Sequence, residues 1–189
     1  MKYLDLLTII IVTYKSDDII YKFIKKIPNK IKVIIVENSK NIKLKRNVER
    51  KFNNIKVFLR KNEGVASSIN YGVSKAKTKY IIHLSPDLKV KYTDLKHFFY
   101  YAEKLKDNFC ALGPRFINVK EKSHIQIDHK LKIGSINSIH GSYMFMNKDN
   151  FNKIGGWDKN IFLFFEETEF CYRAKKKKLF FYQINSIKT

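Results

Sequence analysis

The sequence lacks the features that most directly identify a metal-binding, redox-active or membrane-spanning protein. It has only two cysteines, Cys110 and Cys171, which are far apart and fit no metal or redox spacing. We therefore expect reduced, buried thiols in a cytoplasmic protein. No apolar run is long enough to span a bilayer. The N-terminal stretch MKYLDLLTIIIVTY has neither a basic run nor a small-residue cleavage site, and Asp5 interrupts it, so it predicts a first strand and not a signal peptide.

The two common glycine-rich phosphate-binding motifs are also missing. Neither GxGxxG nor GxxxxGK[ST] occurs, which excludes a conventional dinucleotide cradle and a P-loop. The remaining device is a divalent metal ion that a carboxylate holds against the phosphates. Asp87, in the stretch HLSPDLKV, follows a predicted strand, and Pro86 restricts the turn. Taken alone, SPD favours an ordinary turn aspartate.

Acidic residues are scarce: the chain has 17 of them against 38 basic residues, for a formal net charge of +21. Nucleic-acid binding, attraction to an anionic membrane surface or a phosphorylated substrate, and the Lys-, Ile- and Asn-rich coding of an AT-rich genome would each produce such an excess. The lysines are scattered and outnumber the arginines, whereas base reading and bidentate phosphate contacts favour Arg. We therefore rank genomic composition first, membrane attraction second and specific nucleic-acid recognition last.

What the sequence does contain is an alternation of apolar runs with helical patterns. Its 189 residues, 44% of them hydrophobic, without internal repeats or linkers, predict one globular domain. The alternation predicts βαβ units with a mostly parallel sheet, in which ligands lie at the carboxyl ends of the strands. The predicted strands are 8–13, 33–36, 55–59, 80–84, 142–146 and 180–184; the predicted helices run from a Ser16 cap to Pro28, over 43–52, over 65–76, from a Thr93 cap to Leu105, near Asp149, and over 166–176; residues 114–139 predict loop and short strand.

Three glutamates interrupt the basic chain in the stretch FLFFEETEFCYRAKKKK, residues 162–178. Glu166, Glu167 and Glu169 follow apolar residues and precede a basic run, which suits the dipole of a helix. Glu169 is spaced to pair with Arg173 one turn on. The glutamates are therefore either a solvated helix start or, for one of them, a carboxylate held for chemistry.

Taken together, four stretches resemble the family 2 glycosyltransferases of GT-A fold, and most closely their bacterial rhamnosyltransferase-like branch. The stretches are TIIIVTYKSDD, VIIVENSKN, NEGVASSINYGVSKAKTKYIIHLSPDLKV and GGWDKNIFLFFEETEFCYRAKKKKL. They follow the family's order of VTYN, VDN, NxGFAxxxN, LNPD and GGFDxxFFxYFEDxDLCxR. The resemblance implies a Rossmann-like α/β/α sandwich with a central, mostly parallel sheet. It implies one domain over 1–189, with a nucleotide-sugar-binding half over about 1–112 and an acceptor-side half over about 113–189.

The resemblance also implies roles for residues on the donor side. Thr13 and Tyr14 would border the base of a nucleotide-diphosphate sugar, and Glu37 would face its base or ribose. Asp87 matches the last acid of the family's motif for Mn²⁺ or Mg²⁺, and the first acid of that motif is absent. The loop and helix that close over the nucleotide and its sugar match Asn62, Gly64 and Asn70.

On the acceptor side, Glu167 falls at the position of the family's general base, which takes the proton of the acceptor hydroxyl in an inverting transfer. Gly141 would keep space beside the acceptor or the donor sugar. Trp157 and Asp158 match the turn that forms an acceptor-side wall, and Glu166 would orient the backbone or bind the acceptor. Glu167 is one methylene longer than the family's usual aspartate.

We accordingly predict a metal-dependent, inverting glycosyltransferase that acts on a glycan or lipid-linked acceptor in bacterial surface polysaccharide biosynthesis. The prediction is a cytoplasmic protein, with peripheral contact to the anionic inner membrane face as an option and no specific nucleic-acid partner. Relatives usually continue to a histidine that can complete the metal site, whereas this sequence stops at Thr189. We therefore expect either a weak metal site or a C-terminally short chain. The alternative function is a degenerate domain that binds nucleotide or glycan without turnover.

Overall fold

The computed structural model describes residues 2–117 and 126–189, so part of the segment predicted as loop and short strand, 118–125, lies outside the described residues. The described ranges form eight strands and six α-helices, with 3-10 turns at Lys2–Leu6 and Tyr92–Asp94. The strands are β1 (Leu7–Thr13), β2 (Lys32–Glu37), β3 (Ile55–Leu59), β4 (Tyr80–Leu84), β5 (Ala111–Arg115), β6 (Ile133–Ile136), β7 (Tyr143–Asn147) and β8 (Phe181–Lys188). The helices are α1 (Asp17–Ile24), α2 (Ile42–Lys51), α3 (Gly64–Lys75), α4 (Leu95–Lys104), α5 (Lys148–Ile154) and α6 (Glu166–Lys176).

All eight strands belong to one sheet, in the order β3-β2-β1-β4-β7-β5-β8-β6. The first four strands are parallel neighbours, and β7 joins β4 to β5 by antiparallel pairing. β8 is parallel to β5, and β6 is antiparallel to β8. Only β6 and β7 therefore run against the rest, which confirms the predicted mostly parallel sheet.

Helices cover both faces of this sheet, because both faces of the central strands are apolar. The core on one face contains the buried residues of α1, α2 and α4, and the core on the other face contains those of α3, α5 and α6. This three-layer arrangement confirms the predicted α/β/α sandwich. Cys110 and Cys171 are both free and buried in the second core. None of the described helices is long and apolar enough to cross a bilayer; the longest, α3, has 12 residues.

Ser16 occupies the N-cap position of α1 as predicted, but its side chain does not cap the helix, and the predicted Thr93 cap is wrong. The Ser16 hydroxyl donates to the carbonyl of Tyr14 and accepts from its N–H, so it closes a local turn and makes no cap bond to α1. Thr93 lies within a 3-10 turn, and α4 begins two residues later at Leu95. Both helices nevertheless form within the predicted ranges, because their buried faces fix them more strongly than a cap does, although α1 ends at Ile24 and does not reach Pro28.

Strand β5 was not predicted, because its sequence ALGPR contains a glycine and a proline. A Cβ on Gly113 would lie 2.6 Å from the Ile139 side chain, so this strand position accommodates no larger residue. The pairing with β8 shifts register between Pro114 and Arg115, which is where a sheet tolerates proline. The boundary that we predicted between the two halves, at about residues 112 and 113, falls inside this strand.

The packing of α3 against the sheet leads to a stability prediction for Gly72→Ala. A Cβ at Gly72 would lie 2.6 Å from Cγ2 of buried, β-branched Ile10. We expect the overlap to exceed the gain in helix propensity and to lower the free energy of unfolding by about 1–3 kcal/mol. Urea denaturation measures this change. The control is Ser74→Ala on the exposed side of the same helix, and equal stability of the two variants would contradict the packing argument.

Candidate active site

The carboxyl ends of β1, β2 and β4 meet at one edge of the sheet, as parallel strands require. A cavity of about 270 Å³ opens there. Four of the residues predicted on the donor side line it: Thr13, Tyr14, Asn62 and Gly64. The other lining residues are Val12, Asn38, Val65, His83, Ser85, Phe162 and Leu163.

Thr13 and Tyr14 form the β1 side of the cavity. Thr13 is buried, and no residue in the described ranges forms a hydrogen bond with its Oγ1. Tyr14 is half exposed and offers a ring at the cavity wall. A buried polar atom without a partner costs about 1–3 kcal/mol, so such atoms in a cavity are suited to a ligand.

Glu37 ends β2, but its carboxylate faces the protein. It is 1% exposed and does not line the cavity. Its Oε1 accepts hydrogen bonds from the N–H (2.9 Å) and the hydroxyl of Ser39, and its Oε2 accepts from the Asn41 N–H at 2.6 Å. Both oxygens thus hold the loop between β2 and α2, and the carboxylate is buried away from the cavity where the contact with base or ribose was expected.

Gly64 starts α3 where the chain crosses the segment before α6. Its φ is +89°, and a side chain there would overlap the Phe162 backbone. The adjacent Val65 N–H donates to the Phe162 carbonyl at 3.1 Å. Asn62 Oδ1 accepts from the Gly64 N–H at 3.3 Å. The predicted donor loop is therefore joined directly to the predicted acceptor segment.

Asn70 lies on α3 but contacts the acceptor-side turn. Its Nδ2 donates to the Trp157 carbonyl at 2.7 Å, and its Oδ1 accepts from the Trp157 N–H at 2.9 Å. Both ends of its amide are thus used on Trp157, and it does not line the cavity. Asn70 positions the turn, whereas the resemblance implied contact with the nucleotide or its sugar.

Gly141, Trp157 and Glu167 converge beside the cavity. A Cβ on Gly141 would lie 3.4 Å from Cδ of Glu167 and 3.5 Å from Cη2 of Trp157. Nδ1 of His83 lies 2.6 Å from the Gly141 carbonyl, and the imidazole meets the Trp157 ring edge-on at 6.0 Å between centroids. The absence of a side chain at Gly141 leaves room next to the Glu167 carboxylate.

The three glutamates of α6 have three different environments. Glu169 forms a bidentate pair with Arg173, as its spacing predicted, with Nη2–Oε2 at 2.6 Å. Glu166 is only 7% exposed, and burial, followed by the charge of Glu167, raises the pKa of its carboxyl. Glu167 is half-buried, and none of the residues that the structure describes forms a hydrogen bond or ion pair with it. The Glu167 carboxylate is therefore available to take a proton, although the buried Oε2 of Glu166 also has no hydrogen-bond partner among the described residues.

Asp158 and Asp87 are the remaining predicted acids. Asp158 Oδ1 accepts from the backbone and side-chain nitrogens of Asn160, both at 2.9 Å, which closes the turn before α6. Asp87 is exposed, two residues beyond cavity-lining Ser85. Within residues 2–117 and 126–189, no group of three or more His, Cys, Asp or Glu side chains is placed to hold a metal ion.

His83 and Asn38 line the cavity but were not predicted as site residues. His83 falls inside the strand predicted over 80–84. The period-two alternation of a strand puts it on the same face as Ser85, and that signal could have identified it. Asn38 Nδ2 donates to the Ser68 hydroxyl at 2.8 Å and so connects the end of β2 to α3. No local sequence pattern predicts this contact.

Solved structures with the same fold include the following two neighbours. The structure of S. aureus TarS residues 1–349 matches with a TM-score of 0.69 at 14% identity, over 95% of this chain and 60% of that one. The mannosyltransferase PcManGT from Pyrobaculum calidifontis, solved with GDP-Man and Mn²⁺, matches with a TM-score of 0.74 at 11% identity, over 97% of this chain and 55% of that one. These likenesses show the fold, which is the GT-A fold expected from the resemblance.

Sequence comparison adds a curated relative and a family. The low-salt glycan biosynthesis hexosyltransferase Agl10 of Haloferax volcanii is 26% identical over 200 aligned residues, which cover 93% of this chain and 64% of that protein. The chain thus spans somewhat less than two thirds of that relative. The profile described as Glycosyl transferase family 2 matches residues 8–169, which include the cavity, the turn at residues 155–158 and the start of α6. The chain belongs to glycosyl transferase family 2.

Proposed function

We propose that this protein transfers a sugar from a nucleotide-diphosphate donor to an acceptor hydroxyl with inversion at the anomeric carbon. The observation that carries the proposal is the partner-free carboxylate of Glu167 beside Gly141 and Trp157, next to the cavity at the carboxyl edge of a family 2 domain. The acceptor oxygen attacks the anomeric carbon, the bond from that carbon to the diphosphate breaks, and the hydroxyl proton passes to Glu167. The leaving group is the nucleoside diphosphate.

The donor occupies the cavity in this proposal. Tyr14 at the cavity wall offers a flat ring for the base, and Thr13 offers a buried hydroxyl without a protein partner. The fold neighbour from Pyrobaculum calidifontis was solved with GDP-Man and Mn²⁺, which supports a nucleotide sugar as the class of donor. Glu37 and Asn70 act indirectly, by holding the β2–α2 loop and the Trp157 turn.

Asp87 is the residue that would hold a divalent metal ion. Mg²⁺-type sites in proteins use one or two carboxylates together with substrate phosphates and water, and the exposed carboxylate of Asp87 fits that pattern. The ion would neutralise charge on the departing diphosphate. Because one carboxylate is a weak site by itself, the donor's phosphates must complete it.

An apolar ridge at Phe162–Phe165 supports a lipid-linked acceptor or contact with an anionic membrane. Its four side chains are between 49% and 74% exposed, and its first two residues line the cavity. Phe164 and Phe165 both have positive φ, a conformation that costs L-residues about 1–2 kcal/mol each. Exposed Lys159 lies three residues before the ridge, and exposed Lys61 lies three residues before Gly64, which approaches the Phe162 backbone. Contiguous exposed apolar groups mark interaction surfaces, and the acceptor we propose belongs to bacterial surface polysaccharide biosynthesis at the inner membrane face.

A degenerate domain that binds nucleotide without turnover is the second candidate. It is favoured by the single carboxylate at the expected metal position and by the longer Glu167 in place of the family's aspartate, since catalysis depends on close positioning of the base. Donor binding without transfer by the unmodified chain would support it.

Glu167→Gln separates the two candidates. We expect transfer to fall roughly 100-fold or more, because a general base contributes 10²–10⁴-fold, while the dissociation constant of the donor stays the same. The measurements are turnover with a nucleotide sugar and binding of that donor. Glu103→Gln, an exposed acid on α4, is the matched control and should leave both unchanged. Equal transfer by the Glu167→Gln variant and the unmodified chain would remove Glu167 from the mechanism.

Metal binding should depend on the nucleotide. We expect Mn²⁺ to raise the Tm in the presence of UDP or GDP and to leave it unchanged without them, because Asp87 alone does not complete a site. The Asp87→Ala variant should lose the metal-dependent part of the shift. Asp94→Ala tests a second acid of the same region, and inorganic pyrophosphate tests for unspecific polyanion binding by a chain of charge +21. If the Mn²⁺-dependent Tm shift of the Asp87→Ala variant equals that of the unmodified chain, Asp87 does not hold the metal ion.

The ridge should bind anionic vesicles. We expect the chain to cosediment with vesicles containing phosphatidylglycerol more than with phosphatidylcholine vesicles, because apolar insertion and basic charge act together. The double variant Phe164→Ser and Phe165→Ser should lose at least half of this binding. Ile42→Ser, another exposed apolar residue, should not. Unchanged binding by the double variant would show that charge alone is responsible.

A further inference from the structure

His83 is a buried histidine that the proposed transfer leaves without a role. It lies near the carboxyl end of β4, is 5% exposed, and lines the cavity together with Ser85 on the same face of the strand. Its neighbours across the sheet are apolar: Ile10 on β1 and Met144 on β7. A polar ring in such surroundings requires partners for both of its nitrogens.

One of the two ring nitrogens of His83, Nδ1, has a hydrogen-bond partner. Nδ1 lies 2.6 Å from the Gly141 carbonyl, and since a carbonyl oxygen only accepts, Nδ1 carries the proton. Burial lowers the pKa of His83 to about 4, and the bond to Gly141 only partly opposes this. The ring is therefore neutral at physiological pH, with the lone pair on Nε2.

Nε2 has no partner within the part of the chain that the structure describes. The ring cannot easily turn to find one, because Gly141 holds Nδ1 and Trp157 packs edge-on against the ring. Trp157 is itself fixed through both backbone groups by Asn70. The cavity thus contains a rigid hydrogen-bond acceptor that the protein does not use.

The chemistry of this nitrogen selects its ligand. An atom with only a lone pair cannot bind a phosphate or carboxylate oxygen, since both sides would be acceptors. It can bind an O–H group, which a nucleotide sugar carries on the ribose and on the transferred sugar. We propose that Nε2 of His83 accepts a hydrogen bond from a hydroxyl of the donor, which makes His83 a binding and specificity residue; this rests on the proposed function.

The test compares variants that keep or remove the acceptor. His83→Asn can retain a donor toward the Gly141 carbonyl but has no acceptor at the position of Nε2, whereas the longer His83→Gln places an amide there. Titration calorimetry with GDP, GDP-mannose, UDP and UDP-glucose measures binding. For the nucleotide that binds the unmodified chain, we expect His83→Asn to raise the dissociation constant about tenfold, as loss of one hydrogen bond would. His83→Gln should recover most of it.

The ligands separate the two hydroxyl sources and the two hypotheses. If His83→Asn weakens the binding of the nucleoside diphosphate as well as that of the nucleotide sugar, the bond is to the ribose. If it weakens the binding of the nucleotide sugar only, the bond is to the transferred sugar. Equal binding by the His83→Asn variant and the unmodified chain would overturn the inference while leaving the proposed function intact. If the unmodified chain binds none of the four nucleotides, both fall.

The neutral ring has its own measurable signature in the pH dependence of stability. Between pH 6.5 and about 4 the unfolded chain binds a proton at His83 that the folded chain does not, so lowering the pH through this window lowers the Tm. Above pH 6.5 His83 is neutral in both the folded and the unfolded chain, so its titration no longer changes the Tm. The acid on that side is Glu167, whose carboxyl carbon would lie 3.4 Å from a Cβ on Gly141. His83→Asn should flatten the Tm profile between pH 6.5 and 4, and His129→Asn, an exposed histidine, should not. An unchanged profile in His83→Asn would contradict the neutral, buried ring on which the inference depends.

Discussion

The turn at residues 155–158 is held from two sides, and the arrangement of the site depends on that clamp. On one side the Asn70 amide bonds to both backbone groups of Trp157. On the other side the Arg173 guanidinium, fixed by its pair with Glu169, donates to the carbonyls of Ile154 (2.8 Å) and Gly156 (2.7 Å). Charge-assisted, bidentate contacts of this kind fix geometry as well as adding energy. The indole that they position packs edge-on against His83 and lies next to Gly141.

From the Trp157 indole the constraints extend in two directions. Toward the sheet it packs against His83, whose ring is bonded to the Gly141 carbonyl. Toward α6 it borders the space beside Glu167. The groups predicted on the donor side and on the acceptor side are therefore parts of one packed unit, further joined by the contact of α3 with the Phe162 backbone. Such preorganisation is what electrostatic catalysis requires, because groups already in place need no reorganisation during the reaction.

Sequence reasoning succeeded where the determining contacts are local. Helix α6 occupies the predicted residues, and Glu169 and Arg173 pair across one helical turn, because both follow from near-neighbour spacing. It failed where the partner is remote. Asn70 and Trp157 are 87 positions apart, so their bond cannot be inferred from either segment. Gly113 resembles a loop residue until the position of Ile139 is known. The family resemblance supplied candidate roles for Glu37 and Asn70, but only three-dimensional contacts revealed that their polar atoms are already engaged.

The position of β8 in the sheet has a consequence for how the chain folds. β8 follows every other strand in sequence, yet it lies between β5 and β6, and it is the only described strand with which β6 pairs. During synthesis β6 therefore has no described strand to pair with until residues 181–188 have left the ribosome. The four parallel strands of the first half can associate earlier, since their pairings involve shorter separations along the chain. The half of the sheet formed by β1 to β4 can thus assemble before β6 is paired. Until then the unpaired strands are exposed to chaperones and to aggregation.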